Sequence, residues 1–118
     1  MKTESEEQIE FIQWCKRNMK KHPELEKIFH IPNGGSRHIA TAARLKLEGV
    51  KPGVPDLFLP VARRGFHGLF IEMKRKKGGT VSKDQKQWKS WLSEEHYAVV
   101  VAKGFHSARR LIKSYLKI

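Results

Sequence analysis

In the first twenty positions, Gln8, Phe11, Ile12, Cys15 and Met19 recur at three- and four-residue steps, the spacing that lines one face of an α-helix. Thr3 and Glu6 have the spacing of a capping box, so a helix is predicted from about Glu4 to Lys21. His22-Pro23 stops it, because the residue before a proline is pushed out of the helical region. Ile28, Phe29 and Ile31 then read as a short strand running into the turn Pro32-Asn33-Gly34-Gly35. Helical spacing returns with Ile39, Ala42, Ala43, Leu45 and Leu47, and Gly49 closes that helix. A rigid turn, Pro52-Gly53-Val54-Pro55, leads into a strand over Asp56–Leu59 ended by Pro60. Arg63-Arg64-Gly65 reverses the chain into a second strand, Leu69–Lys74, so the two pair as a hairpin that Gly78-Gly79 terminates. Ser82 caps a helix over Lys83–Glu95 in which Gln85, Trp88 and Leu92 share a face. Tyr97–Ala102 is an apolar strand, and Ser107–Leu116 a last helix turning Ala108, Leu111, Ile112 and Tyr115 to the core. The order α-β-(α)-β-β-α-β-α predicts an α/β fold with a mixed sheet flanked by helices.

A chain of 118 residues buries one core, so residues 1–118 are expected to form a single domain. Its formal net charge of +12 suits a polyanionic partner such as nucleic acid or an anionic membrane surface. With Cys15 alone there is no internal disulfide and no thiolate zinc cluster, which points to a reducing compartment and a buried thiol. The acidic start, Met1 to Glu7, fits neither a secretory signal nor a transit peptide. Tyr97 to Ala102, the longest apolar run, falls far short of the roughly 20 residues that cross a bilayer. The expectation is a soluble cytoplasmic protein without a membrane partner.

Candidate chemistry gathers on the second hairpin strand. Glu72 and Lys74 are two residues apart and face one way, while Ile71 and Met73 face the other. Asp56 begins the strand that the hairpin lays alongside, so two carboxylates converge beside one ammonium. Carboxylate oxygens suit Mg²⁺, which takes one or two such ligands and keeps several waters, and such an ion polarises a phosphate and activates a bound water. Lys74 would orient that water or stabilise charge growing on the phosphate. A base role would require its pKa to fall by several units from about 10.4, which adjacent carboxylates oppose.

Pro55-Asp56, fifteen further residues, then Glu72-Met73-Lys74 reproduces the signature of PD-(D/E)XK nucleases. The surrounding text is more specific: Ile31 to Gly35, Ala42 to Lys46, Glu48 to Lys51, Gly53 to Leu57, Gly68 to Lys74, and Ser82 with Gln85. Together these resemble a stand-alone VRR-NUC domain of the phage and bacterial type, over Glu4 to Leu116. The resemblance implies a restriction-endonuclease-like fold and a DNA endonuclease using Mg²⁺ or Mn²⁺. It further implies selectivity for branched or junction DNA, a frequent homodimer, and a place in a bacterial cell or phage-infected host. Carried over by position, Asp56 and Glu72 become metal ligands, Lys74 the catalytic lysine, and Gln85 a polar residue reaching the site from the next helix. The main-chain carbonyl of Met73 joins the ligands. Family members add a glutamate four residues ahead of a glutamine, a spacing that Glu4 and Gln8 have here. At 100° per residue Glu4 shares a face with Gln8, Phe11 and Cys15, whereas Glu6, Glu7 and Glu10 point elsewhere.

Each candidate also has a plainer reading. Glu4 is a favourable charge at a helix N-terminus, and Gln85 an ordinary first-turn polar residue. Asn33-Gly34-Gly35 is either a turn or a backbone-amide loop that approaches a phosphate with help from Ser36 and Arg37. Lys76 and Lys77 belong to a solvated face or contact DNA beside the metal, and Arg44 matches a family position or pairs locally. Helical spacing assigns Trp14, Trp88 and Trp91 to the core, and the six histidines lack zinc-like spacing. The alternatives to an endonuclease are a non-catalytic basic nucleic-acid-binding module and a subunit that requires a partner.

Overall fold

The computed structural model describes residues 1–33 and 38–118. Helix α1 (Glu4–Asn18) opens as its capping box predicts: the Thr3 hydroxyl accepts the Glu6 N–H at 3.1 Å and the Glu6 carboxylate accepts the Thr3 N–H at 2.9 Å. It stops three residues short of Lys21, where the Asn18 amide donates to the Trp14 carbonyl at 2.8 Å and competes with the helical ladder. A 3₁₀ turn over Pro23–Lys27, absent from the sequence expectation, follows and buries Leu25. Proline tolerates its first position because the N–H it lacks has no helical acceptor there.

Four strands form one mixed sheet in the order β1 (Phe29–His30), β2 (Leu57–Leu59), β3 (Leu69–Lys74), β4 (Ala98–Lys103). The first three are antiparallel and β4 runs parallel to β3, so the predicted hairpin is the β2–β3 pair. β1 is only two residues, exposed at the sheet edge. The remaining helices are α2 (Ile39–Leu47), α3 (Lys83–Glu94) and α4 (Phe105–Leu116), completing the expected α/β architecture.

Alternation along the strands separates core from chemistry. Leu57, Leu59, Leu69, Ile71 and Met73 meet Phe11 and Cys15 of α1 and Ala108, Ile112 and Tyr115 of α4 in a buried cluster. Burying a side chain of this size contributes about 1.5–3 kcal/mol, so this face holds the fold together. Burial also pushes the Cys15 thiol up to about 12, leaving it inert as a nucleophile. The Tyr115 hydroxyl stays satisfied by donating to the Val61 carbonyl at 2.6 Å.

The opposite face is thinner. Phe58 stacks on Phe70 with ring centroids 4.3 Å apart, and Tyr97 meets both edge-on. Helix α3 has no fully buried residue, which corrects the expectation that Trp88 and Trp91 are core: Trp88 is half-buried and Trp91 is 49% exposed. Trp14 is likewise half-buried, packed against the core rather than within it. Spacing assigned these residues a face, but how much lies over that face is a tertiary matter. Helix α2 shows the same effect, with Ile39 85% and Leu47 90% exposed.

One glycine positions the site directly. Gly53 sits at φ +90°, and a Cβ there would lie 2.5 Å from the Asp84 carbonyl carbon, so the turn ahead of Asp56 packs tightly on the first turn of α3. That contact brings the loop carrying Asp56 and the helix carrying Gln85 together.

Candidate active site

Three elements deliver the carboxylates. Glu4 comes from the first turn of α1, Asp56 from the residue before β2, and Glu72 from β3, and one oxygen of each lies within 4.8 Å of the others. Asp56 is locked on both sides. Its Oδ2 accepts the Met73 N–H at 2.7 Å, and its carbonyl accepts the Ile31 N–H at 2.7 Å. The same carbonyl stands 2.8 Å from His30 Nδ1, a neighbour that the histidine spacing did not reveal. Met73 turns its own side chain into the core.

Glu72 and Lys74 share a face of β3, as their two-residue spacing predicts, and both are buried. Gln85 joins them. Its Nε2 donates to Glu72 Oε2 at 2.8 Å, while its Oε1 accepts from Lys74 Nζ at 2.9 Å and from the Ser82 N–H at 2.8 Å. One side chain thus completes the capping box of α3 and clamps two site residues. Lys74 Nζ and Glu72 Oε2 are 3.9 Å apart, and the glutamine amide bridges the two side chains.

The electrostatics record the crowding. Burial, above all, pushes the Glu72 carboxyl up to about 9; a hydrogen bond to Asp56 and its charge add to the rise, and Lys74 opposes it. Glu4 is also raised, by burial first and then by Asp56, against the pull of Lys74 and Arg75. Three carboxyl groups so close together hold back a proton that a bound cation would displace. An all-oxygen donor set of this kind fits a hard divalent ion such as Mg²⁺ or Mn²⁺.

A model of the VRR-NUC domain matches residues 2–106. The chain belongs to the VRR-NUC family. A solved structure described as a VRR_NUC domain protein is 36% identical and superimposes with a TM-score of 0.85, covering 99% of this chain and 90% of the other. Among curated proteins no sequence matches. VRR-NUC membership makes this a nuclease fold, and among the described residues no helix is long and apolar enough to cross a membrane.

Other sequence candidates are scattered around the VRR-NUC site. Asn33 donates its side-chain amide to the Val54 carbonyl and so braces the turn before Asp56. Gly34, Ser36 and Arg37 lie outside the described residues. Arg44 is exposed on α2. Lys76 and Lys77 are exposed just past β3, and Lys76 lines a cleft with Lys103 and His106. A second cleft, open on Glu4 and Lys74, is also lined by Lys2, Arg75 and Thr80. Glu7, which the helical spacing places off the face shared by Glu4 and Gln8, is buried against the start of α4.

Proposed function

We propose that this VRR-NUC chain acts as one domain, a metal-dependent DNA endonuclease hydrolysing phosphodiester bonds. The observation that carries the reading is the convergence of Glu4, Asp56 and Glu72 next to a lysine held by Gln85. In this reading Glu4, Asp56, Glu72 and the Met73 carbonyl hold Mg²⁺ or Mn²⁺, which supplies Lewis-acid polarisation of the phosphate and an activated water.

The chain's own residues do the positioning. Asp56 is fixed by Met73 and cannot swing away, so its carboxylate is preorganised. Lys74 spends one donor on Gln85 and keeps others for the scissile phosphate or the attacking water. Gln85 keeps Glu72 and Lys74 in register with each other, the outer support that active-site ligands need. Lys76, Lys77 and Arg44, together with Asn33, Gly34, Ser36 and Arg37, make up the proposed DNA-contacting set. Basic side chains there would make affinity fall steeply with salt.

Branched or junction DNA is the proposed substrate and a homodimer the proposed assembly, in the cytoplasm of a bacterial cell or phage-infected host, in replication, recombination or repair. Both extend the family resemblance. Labelled four-way junction, nicked and linear duplexes, incubated with Mg²⁺ or Mn²⁺ and resolved on gels, test the substrate class. Preferential cutting of the junction supports it; equal cutting of linear duplex removes the structure selectivity.

A further inference from the structure

Glu7 is a carboxylate only 7% exposed, and its Oε1 accepts the backbone N–H of Phe105 at 2.9 Å. Phe105 opens α4, whose N-cap residue, Gly104, offers no side chain. The first N–H groups of a helix have no acceptor within it, so an oxygen acceptor must come from outside. Glu7 supplies that acceptor from a different helix. Gly104 stands at φ +88°, a backbone conformation that favours glycine, and a Cβ on it would just touch the Glu7 carboxylate at 3.4 Å. The Gly104 N–H meanwhile donates to the Lys74 carbonyl at 2.9 Å.

These contacts form one linkage: α1 through Glu7 to the start of α4, and the start of α4 to the end of β3. Glu4 lies one helical turn before Glu7, and Glu72 and Lys74 lie at the other end of the linkage. Helix termini fray unless tied down, and a fraying first turn would carry Glu4 away from Asp56 and Glu72. The Thr3–Glu6 box shapes that turn but is itself exposed, with both of its bonds inside α1's own start. We propose that Glu7 is a positioning residue, which sets divalent-ion affinity by holding Glu4 in place through the N-terminus of α4. The inference rests on Glu4 being a ligand.

Calorimetric titration of Mn²⁺ into the folded protein and its variants, well below their melting temperatures, separates the possibilities. Glu7→Gln keeps the reach and an acceptor oxygen but loses the charge; Glu7→Asp keeps the charge but withdraws it from Phe105. Loss of such outer support typically costs 10–100-fold in metal affinity, so Glu7→Ala and Glu7→Asp are expected to weaken Mn²⁺ binding by roughly tenfold or more. Glu7→Gln stays close to wild type, and Glu4→Gln weakens binding at least as much as Glu7→Ala. Wild-type affinity in Glu7→Ala and Glu7→Asp, with Glu4→Gln weakened, overturns the role of Glu7 alone. The reverse order of Gln and Asp also overturns it, because simple charge attraction then suffices. Unchanged affinity in Glu4→Gln overturns the ligand role of Glu4 and this inference with it. Should Glu7→Ala fail to fold, the order of the Gln and Asp variants decides.

Discussion

Gln85 Oε1 accepts a hydrogen bond from Lys74 Nζ at 2.9 Å, and the same oxygen takes the N–H of Ser82 that closes the cap of α3. A helix-capping residue and a site residue are therefore one side chain. The start of α3 cannot move without moving the partner of Lys74.

Substitution at Gln85 separates its two duties. Glu is as good as Gln at the third position of a capping box, so Gln85→Glu keeps the cap but replaces the donor to Glu72 with another acceptor. Melting temperature is expected to stay near wild type while cleavage drops by roughly 10–100-fold. Gln85→Ala loses both, adding a cost of about 1 kcal/mol in chemical denaturation. Full cleavage by Gln85→Glu would show that the bond to Glu72 is dispensable.

The raised Glu72 carboxyl makes stability depend on pH. Folded, it holds its proton up to about 9, whereas unfolded it releases it near 4.5. Between those values the folded state binds more protons, so this group's contribution to stability declines as pH rises through that window. A divalent ion prefers the ionised carboxyl and restores stability most at the high-pH end. Melting curves in chelator should show wild type losing stability with pH relative to Glu72→Gln, and Mn²⁺ should reverse the loss. Parallel pH profiles for the two proteins would contradict the assignment.

Two glycines distinguish strain from collision. Gly49 at φ +108° has open space where a Cβ would stand, whereas Gly53 at φ +90° has the Asp84 backbone 2.5 Å away. Gly49→Ala is expected to cost about 1 kcal/mol of backbone strain. Gly53→Ala should cost more and also lower cleavage, because it pushes the Asp56 loop off α3. Equal losses of stability in urea titrations, with full activity in both, would disprove the contact's importance.

Much of this was legible in the sequence, and the reason is local physics. Period-two alternation placed Glu72 and Lys74 on one face, turn residues bracketed β2 and β3, and the caps at Thr3 and Ser82 were set by residues three apart. What escaped depends on distant partners. Helix α4 begins two residues before the predicted Ser107 because Glu7, 98 positions away, caps it. Trp88, Trp91, Ile39 and Leu47 show helical spacing, yet Trp88 is only half-buried and the other three are exposed, because spacing assigns a face and not what packs over it. The double bonding of Gln85 needed the actual approach of α3 to β3.

The proposed homodimer has a direct readout. Sedimentation of the purified chain is expected to give about twice its mass of 13.7 kDa; a species of single-chain mass at working concentration would refute it.

The central claim is that Asp56, Glu72 and Lys74 form a metal-dependent cleavage site. Single-turnover cleavage of a labelled DNA junction by wild type and Lys74→Ala, each with Mn²⁺ and with chelator, tests it most directly. The expected result is product only with metal, and a rate for Lys74→Ala lower by roughly 10²- to 10⁴-fold. Intact DNA with metal, or equal rates for the two proteins, would contradict it.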